Sequence, residues 1–141
     1  EGIVPEARRT EVDDADLKDL ADYHAAMNGT KGYLPNEALQ AVWKTVARGN
    51  EYVDRQAPWK LAKDPAQRDE LALTLASLIR QLARQAICLF PFMPVKAQEL
   101  WESLGGPDRL ESRKEFALDS IDVTGWNVTK GAGLFPKPDK A

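Results

Sequence analysis

The sequence predicts an all-α fold: an antiparallel helical bundle closed by an extended C-terminal tail. Apolar residues recur at helical spacing through residues 13–28, 35–56 and 66–90, and again through a shorter stretch, 95–104. Short breaks carrying Asn-Gly, proline or Gly-Gly separate these stretches, so consecutive helices fold back on one another. From Ile121 onward the pattern changes: glycines and prolines alternate with a few large apolar side chains, which reads as an extended tail. At 141 residues the chain is long enough for one domain with a real core.

Residues 1–12 read as extended, because Gly2 and Pro5 disfavour a helix and no period emerges. The first helix, 13–28, has Asp13 or Asp14 to cap it and further acids in its first turn, where the helix dipole favours them. Leu17, Leu20, Ala21 and His24 share one side, with Met27 further along it, and Asn28-Gly29 is the stop signal. His24, the single histidine, has no second ligand type at matching spacing and reads as structural or exposed.

The second helix, 35–56, opens on Pro35, which is tolerated in a first turn. Leu39, Val42, Trp43, Val46, Asn50 and Val53 form the stripe expected to face the core. Lys44, Arg48 and Arg55 share the opposite side, where Glu51 can pair with Arg55. In the third helix, 66–90, Leu71, Leu75, Leu78, Leu82, Ala86 and Leu89 form one stripe and Leu73 and Ile87 lie nearly opposite. A helix apolar on two sides is packed on two sides, which makes this the expected central element. Arg80 and Arg84 lie on the second side, with stems expected over apolar surface and heads in solvent.

Pro91 and Pro94 force a turn before the fourth helix, whose buried edge is Leu100, Trp101 and Leu104 and whose stop is Gly105-Gly106. Residues 107–120 are charged and only weakly helical in pattern. In the tail, Trp126, Val128, Leu134 and Phe135 are the expected anchors, with Leu134-Phe135 docking in a groove.

Composition narrows the function classes. The lone Cys88 excludes an internal disulfide and any metal site built on several cysteines, and it suits a reducing compartment as a buried structural thiol. No run is long and apolar enough to span a bilayer, and the first residues carry no signal-peptide core. With a net charge of −3, contact with nucleic acid requires a local patch rather than a global field. No carboxylate pair, Ser/His/Asp set or glycine-rich phosphate loop is present.

The stretch 50–64 is the most informative. Pro58 lacks an N–H and disfavours helical geometry at Ala57, so the second helix ends there and presents Trp59 just past the break, with Lys60 and Lys63 beside it. An indole flanked by cations suits an unstacked nucleotide, the ring against a base and the lysines toward phosphate. A hydrophobic plug beneath the turn has the same pattern.

Four landmarks carry a resemblance. Asn50, Tyr52, Val53, Asp54, Pro58, Trp59, Leu61, Ala62 and Lys63 resemble the corresponding stretch of methionyl-tRNA synthetases. So do Leu89-Phe90-Pro91-Phe92-Met93-Pro94 with the following Leu100-Trp101 and Leu104-Gly105, the Gly125-Trp126 and Leu134-Phe135-Pro136 tail, and Gly2-Ile3-Val4-Pro5. The likeness covers essentially the whole chain. It implies the helical anticodon-binding domain of a methionine–tRNA ligase, with Trp59 stacking on the first anticodon base. Its partners would be the anticodon loop of methionine tRNA and the catalytic domain of the same parent chain, in the cytoplasm and away from membranes. The family's domain begins with a further helix carrying an anticodon-reading asparagine and arginine. The resemblance therefore makes 1–12 a linker from a missing upstream helix, 13–120 the bundle and 121–141 a tail packing back on it. Leu73 and Ile87 are the expected lining of the groove that such a helix would leave.

The HIGH-like and KMSKS-like motifs of class I synthetases are absent. The resemblance therefore implies an ATP- and magnesium-dependent ligase for the parent, and no catalysis, metal or cofactor in these residues. Lys44, Arg48, Arg55, Lys60 and Lys63 are candidate phosphate contacts from spacing alone. Two alternatives remain open: a helical protein-interaction module without nucleic-acid contact, and the anticodon domain of another class I synthetase.

Overall fold

A computed structural model describes residues 3–27, 34–110, 118 and 121–129. Its main elements are α1 (Glu11–Met27), α2 (Pro35–Gln56), the short α3 (Pro58–Leu61), α4 (Arg68–Leu89) and α5 (Pro94–Ser103), with a 3₁₀ turn, Pro65–Gln67, ahead of α4. The helical bundle expected from periodicity is therefore present. α1 starts slightly earlier than expected because Asp13 is not its cap. Asp13 sits in the first turn and reaches back, its Oδ2 accepting the Thr10 N–H at 2.8 Å, as in a capping box.

Polar contacts set the helix directions. Tyr23 Oη donates to Cys88 O at 2.6 Å and the hydroxyls of Thr10 and Ser77 lie 2.6 Å apart, so α1 runs parallel to α4. Gln85 Nε2 donates to Thr45 Oγ1 at 3.0 Å and Gln56 Nε2 to Thr74 Oγ1 at 3.1 Å, so α2 runs antiparallel to α4. Gly49 makes that approach close: a Cβ there would collide with the Gln81 side chain.

The ends of the domain are stitched together. Val4 N–H donates to Trp126 O and Gly125 N–H to Val4 O, both at 2.8 Å, while Ile3 and Asn127 form an antiparallel bridge. The Trp101 indole, fully buried, meets Trp126 edge to face at 4.9 Å. Gly105 ends α5 at φ +85°, where a side chain would strike the backbone of Asn127. Leu134 and Phe135 lie outside the described residues.

The two main apolar stripes do not face where periodicity placed them. On α2 the buried residues are Ala38, Ala41, Val42, Thr45, Gly49 and Tyr52, about a quarter-turn from the expected stripe. Val42 alone of that stripe is buried; Leu39, Val46 and Val53 are half-buried, Asn50 is exposed, and Trp43 is 52% exposed. On α4 the buried set includes Thr74, Ser77, Arg80, Gln81, Arg84 and Gln85. Ala86 is buried, but Leu71, Leu78, Leu82 and Leu89 are only half-buried and Leu75 is exposed. Arg80 and Arg84, expected to reach solvent, are buried because Asp13 of α1 receives both. Ile87, expected to line an open groove, is 3% exposed, and Leu73 is half-buried.

Candidate nucleic-acid interface

The Trp59 platform is built by two consecutive joints. α2 ends as Ala57 N–H donates to Val53 O at 2.9 Å, with Ala57 itself left-handed at φ 45°, ψ 65°. Pro58 then opens α3, whose first turn is closed by Lys60 N–H and Leu61 N–H on Ala57 O at 2.8 and 3.2 Å. Trp59 is thereby carried outward and is 52% exposed, which removes the reading of a sealed hydrophobic plug. Lys60 and Lys63 lie exposed within the same turn. Beneath it, Gln56 Nε2 reaches Glu70 Oε1 at 2.7 Å, tying the end of α2 to the start of α4.

The other three candidate cations are not part of this turn. Arg48 is held between Asp16 and Asp19 of α1, and Arg55 pairs with Glu11 while lying over the Tyr52 ring at 5.4 Å. The expected Glu51–Arg55 pair gives way to that link across the helices. Both arginines face α1 because the buried row of α2 is rotated, and they line a cleft with Val12, Ala15 and Tyr52. Lys44 is exposed beside Asp22, Glu37 and Gln40, more than three helical turns before Trp59.

Beneath these surfaces lies a buried polar network. Arg80 Nε and Nη2 donate to Asp13 at 2.9 and 2.8 Å, and Nη2 also donates to Arg8 O at 3.0 Å. Arg84 Nε donates to Leu118 O at 3.1 Å; its Nη1 lies 2.9 Å from Asp13 Oδ1 but finds no aligned hydrogen bond among the described residues. Burial pushes the Asp13 carboxyl up, but the bonds from Arg80 and Thr10 and the charges of Arg84 and Arg80 outweigh it and hold it at about 2. For Asp16 burial wins: its carboxyl is raised although Gln81 and Arg48 both bind it. Arg48 is meanwhile held more firmly protonated: desolvation opposes this, and bonds to Asp19 and Asp16 overcome it. Burial pushes the Cys88 thiol up to about 12, as befits an unreactive core residue.

Among the described residues, one side of the α2–α4 pair carries half-buried apolar side chains and the exposed Leu75. On α4, Ser77, Arg80, Arg84 and Cys88 flank the α2-facing row on the α1 side. Leu71, Leu75, Leu78 and Leu82 flank it on the other. On α2, Arg48 and Arg55 turn to α1, and Leu39, Val46, Asn50 and Val53 turn away. Because the two helices are antiparallel, both outward flanks fall on the same side. Sequence periodicity found these residues; what it could not show was that α1 packs on the polar side.

Comparison with known proteins gives this geometry its context. The chain is 40% identical over 104 residues to the methionine–tRNA ligase of Bacillus subtilis, covering 71% of this chain and 15% of that protein. It is 31% identical over 143 residues to that of Caldanaerobacter subterraneus subsp. tengcongensis, covering 99% of this chain and 22% of that protein. The chain thus spans about a fifth or less of the length of curated relatives that it matches. Its fold matches that of free-state Mycobacterium tuberculosis methionyl-tRNA synthetase with a TM-score of 0.80 at 24% identity, over 99% of this chain and 29% of that one. The family model for the anticodon binding domain of methionyl tRNA ligase matches residues 4–139, and the chain accordingly belongs to that family.

Proposed function

We propose that this domain recognises the anticodon loop of methionine tRNA for a parent methionine–tRNA ligase, with Trp59 stacking on an anticodon base. The observation that carries the reading is the half-exposed indole, lifted off the bundle by Ala57-Pro58, with the exposed Lys60 and Lys63 beside it. Stacking is tolerant of base identity and needs only an open ring face; the lysines meet the phosphates on either side. Arg48 and Arg55 are left out of this contact set because carboxylates of α1 already hold their charges. Lys44 is left out by its distance along α2.

The parent's reaction, ATP-dependent joining of methionine to its tRNA with magnesium, belongs in this reading to a catalytic domain elsewhere in that chain. Among the described residues no group of three or more His, Cys, Asp or Glu is placed to hold a metal ion, and no helix is long and apolar enough to cross a membrane. The half-buried apolar α2–α4 face receives a further amphipathic helix of the same parent. It offers two antiparallel apolar ridges, and relatives such as the Bacillus subtilis enzyme are several times longer than this chain.

The test is titration of the parent protein with a stem-loop carrying the methionine anticodon. Trp59→Ala is expected to weaken binding by about 1–3 kcal/mol, roughly 5- to 150-fold. Unchanged affinity in a protein that binds the wild-type stem-loop would remove the stacking role. The same apolar face favours a second reading, a helical protein-interaction module. That module would bind nearly independently of ionic strength, whereas phosphate contacts weaken steeply with salt.

A further inference from the structure

The segment that carries Trp59 is joined to the bundle by a strained residue and lies against α4 without burying a side chain. Ala57 occupies the left-handed region at φ 45°, ψ 65°. An L-residue with a Cβ is penalised there, and a residue before proline is pushed toward extended geometry as well. The conformation persists because two helices share the residue: its N–H closes α2 on Val53 O, and its carbonyl opens α3 on Lys60 and Leu61 N–H. Past this joint, no residue from Pro58 through Asp69 is buried, and α3 has no side-chain cap. The base, by contrast, is firm. Gln56 Nε2 bonds Glu70 and Thr74, so the two ends of the 57–67 arm are held together by buried-edge side chains, while the arm between them rests on α4 through half-buried and exposed residues alone.

We propose that Ala57 is a positioning residue: a strained hinge on which the arm bearing Trp59 swings between an open position and the docked one that stacks on a base. This rests on the stacking role of Trp59 proposed above. In the docked position Ala57 is left-handed, so its strain lowers the population of that position in the free protein. Binding of RNA then has to restore it, and the apparent affinity falls by the fraction that is docked beforehand. Glycine removes the steric penalty at this φ, and asparagine reduces it. Either substitution therefore shifts the free protein toward the docked arm without touching a group that meets RNA.

The experiment is amide hydrogen exchange on the full-length parent, with and without the methionine anticodon stem-loop, alongside stem-loop affinity. Lys60, Leu61 and Ala62, whose N–H groups close α3, report the arm. In the wild type they are expected to exchange far faster than the core of α4 and to slow when RNA binds. In Ala57→Gly and Ala57→Asn they should be slowed without RNA, with affinity tightened up to about tenfold for glycine and less for asparagine. Core-like protection of these amides in the free wild type overturns the hinge, as does a glycine variant with unchanged exchange and affinity. Trp59→Ala separates the two ideas. If it abolishes the gain from Ala57→Gly, both stand. If it leaves wild-type affinity unchanged while Ala57→Gly still slows exchange, the stacking role falls and the hinge survives as a property of the arm.

Discussion

At the scale of single residues the decisive group is Asp13. It is buried, receives Arg80 directly and lies against Arg84, and its carboxyl is held at about 2 against an ordinary value of 3.8. A carboxyl whose folded value is depressed stabilises the fold above its unfolded value, and that stability is lost as pH falls through the folded value. The shift contributes about 2 kcal/mol at neutral pH, lost progressively from about pH 4 down to about pH 2. Asp16 works in the opposite sense: its raised carboxyl relieves a cost when protonated, so acid first removes a burden there. Asp13→Asn is expected to cost about 3–5 kcal/mol at pH 7, since two guanidinium groups are left buried beside a neutral partner. It should also flatten the loss of stability between about pH 4 and 2. Urea unfolding across that range checks both; a variant with wild-type acid sensitivity would show that the charge is carried elsewhere.

At the scale of elements, α4 shows what periodicity can and cannot decide. Its leucine stripe was legible, and so was its central place. Which side of it packs on α1 was not, because an amphipathic pattern marks apolar residues without naming their partner. Here the polar side went inward: Asp13 and Asp16 of α1 accept from Arg80 and Gln81, with Arg48 of α2 also on Asp16, while the leucines are left half-buried or, at Leu75, exposed. The consequence is testable at Leu75, which is 41% exposed. Leu75→Glu is expected to change the stability of this 141-residue chain by less than about 0.5 kcal/mol, as at an ordinary surface position. In the full-length parent the same change should cost about 2 kcal/mol or more if the proposed helix covers the site. Equal effects in the two proteins would leave that face without the proposed occupant.

At the scale of the whole molecule, the net charge of −3, the part-buried pairing of Arg48 and the surface pairing of Arg55 with carboxylates of α1 leave a small cationic surface around Trp59. Binding through Lys60 and Lys63 alone gives a shallow salt dependence. The logarithm of affinity is expected to fall against the logarithm of salt with a slope near −1.4, about 0.7 for each of two single-strand phosphates. A titration of the stem-loop between low and physiological salt measures it. A slope near −3 or steeper would bring further cations, Lys44, Arg48 or Arg55, into the contact set.

The helices and their breaks, including the end of α2 before Pro58, were determined by the sequence itself, whereas the exposure of Trp59 was decided by the fold. Helices and breaks depend on neighbours in the chain: the spacing of apolar residues, the missing N–H of Pro58 and the turn chemistry of Gly105. Only the tertiary structure decided which faces meet and which charges remain available. Arg48 and Lys44 look alike on a helical wheel, and no local rule shows that two carboxylates of α1 take up the first. The left-handed geometry of Ala57 is of the same kind. An alanine does not choose it alone; two helices that must both begin or end on that residue impose it.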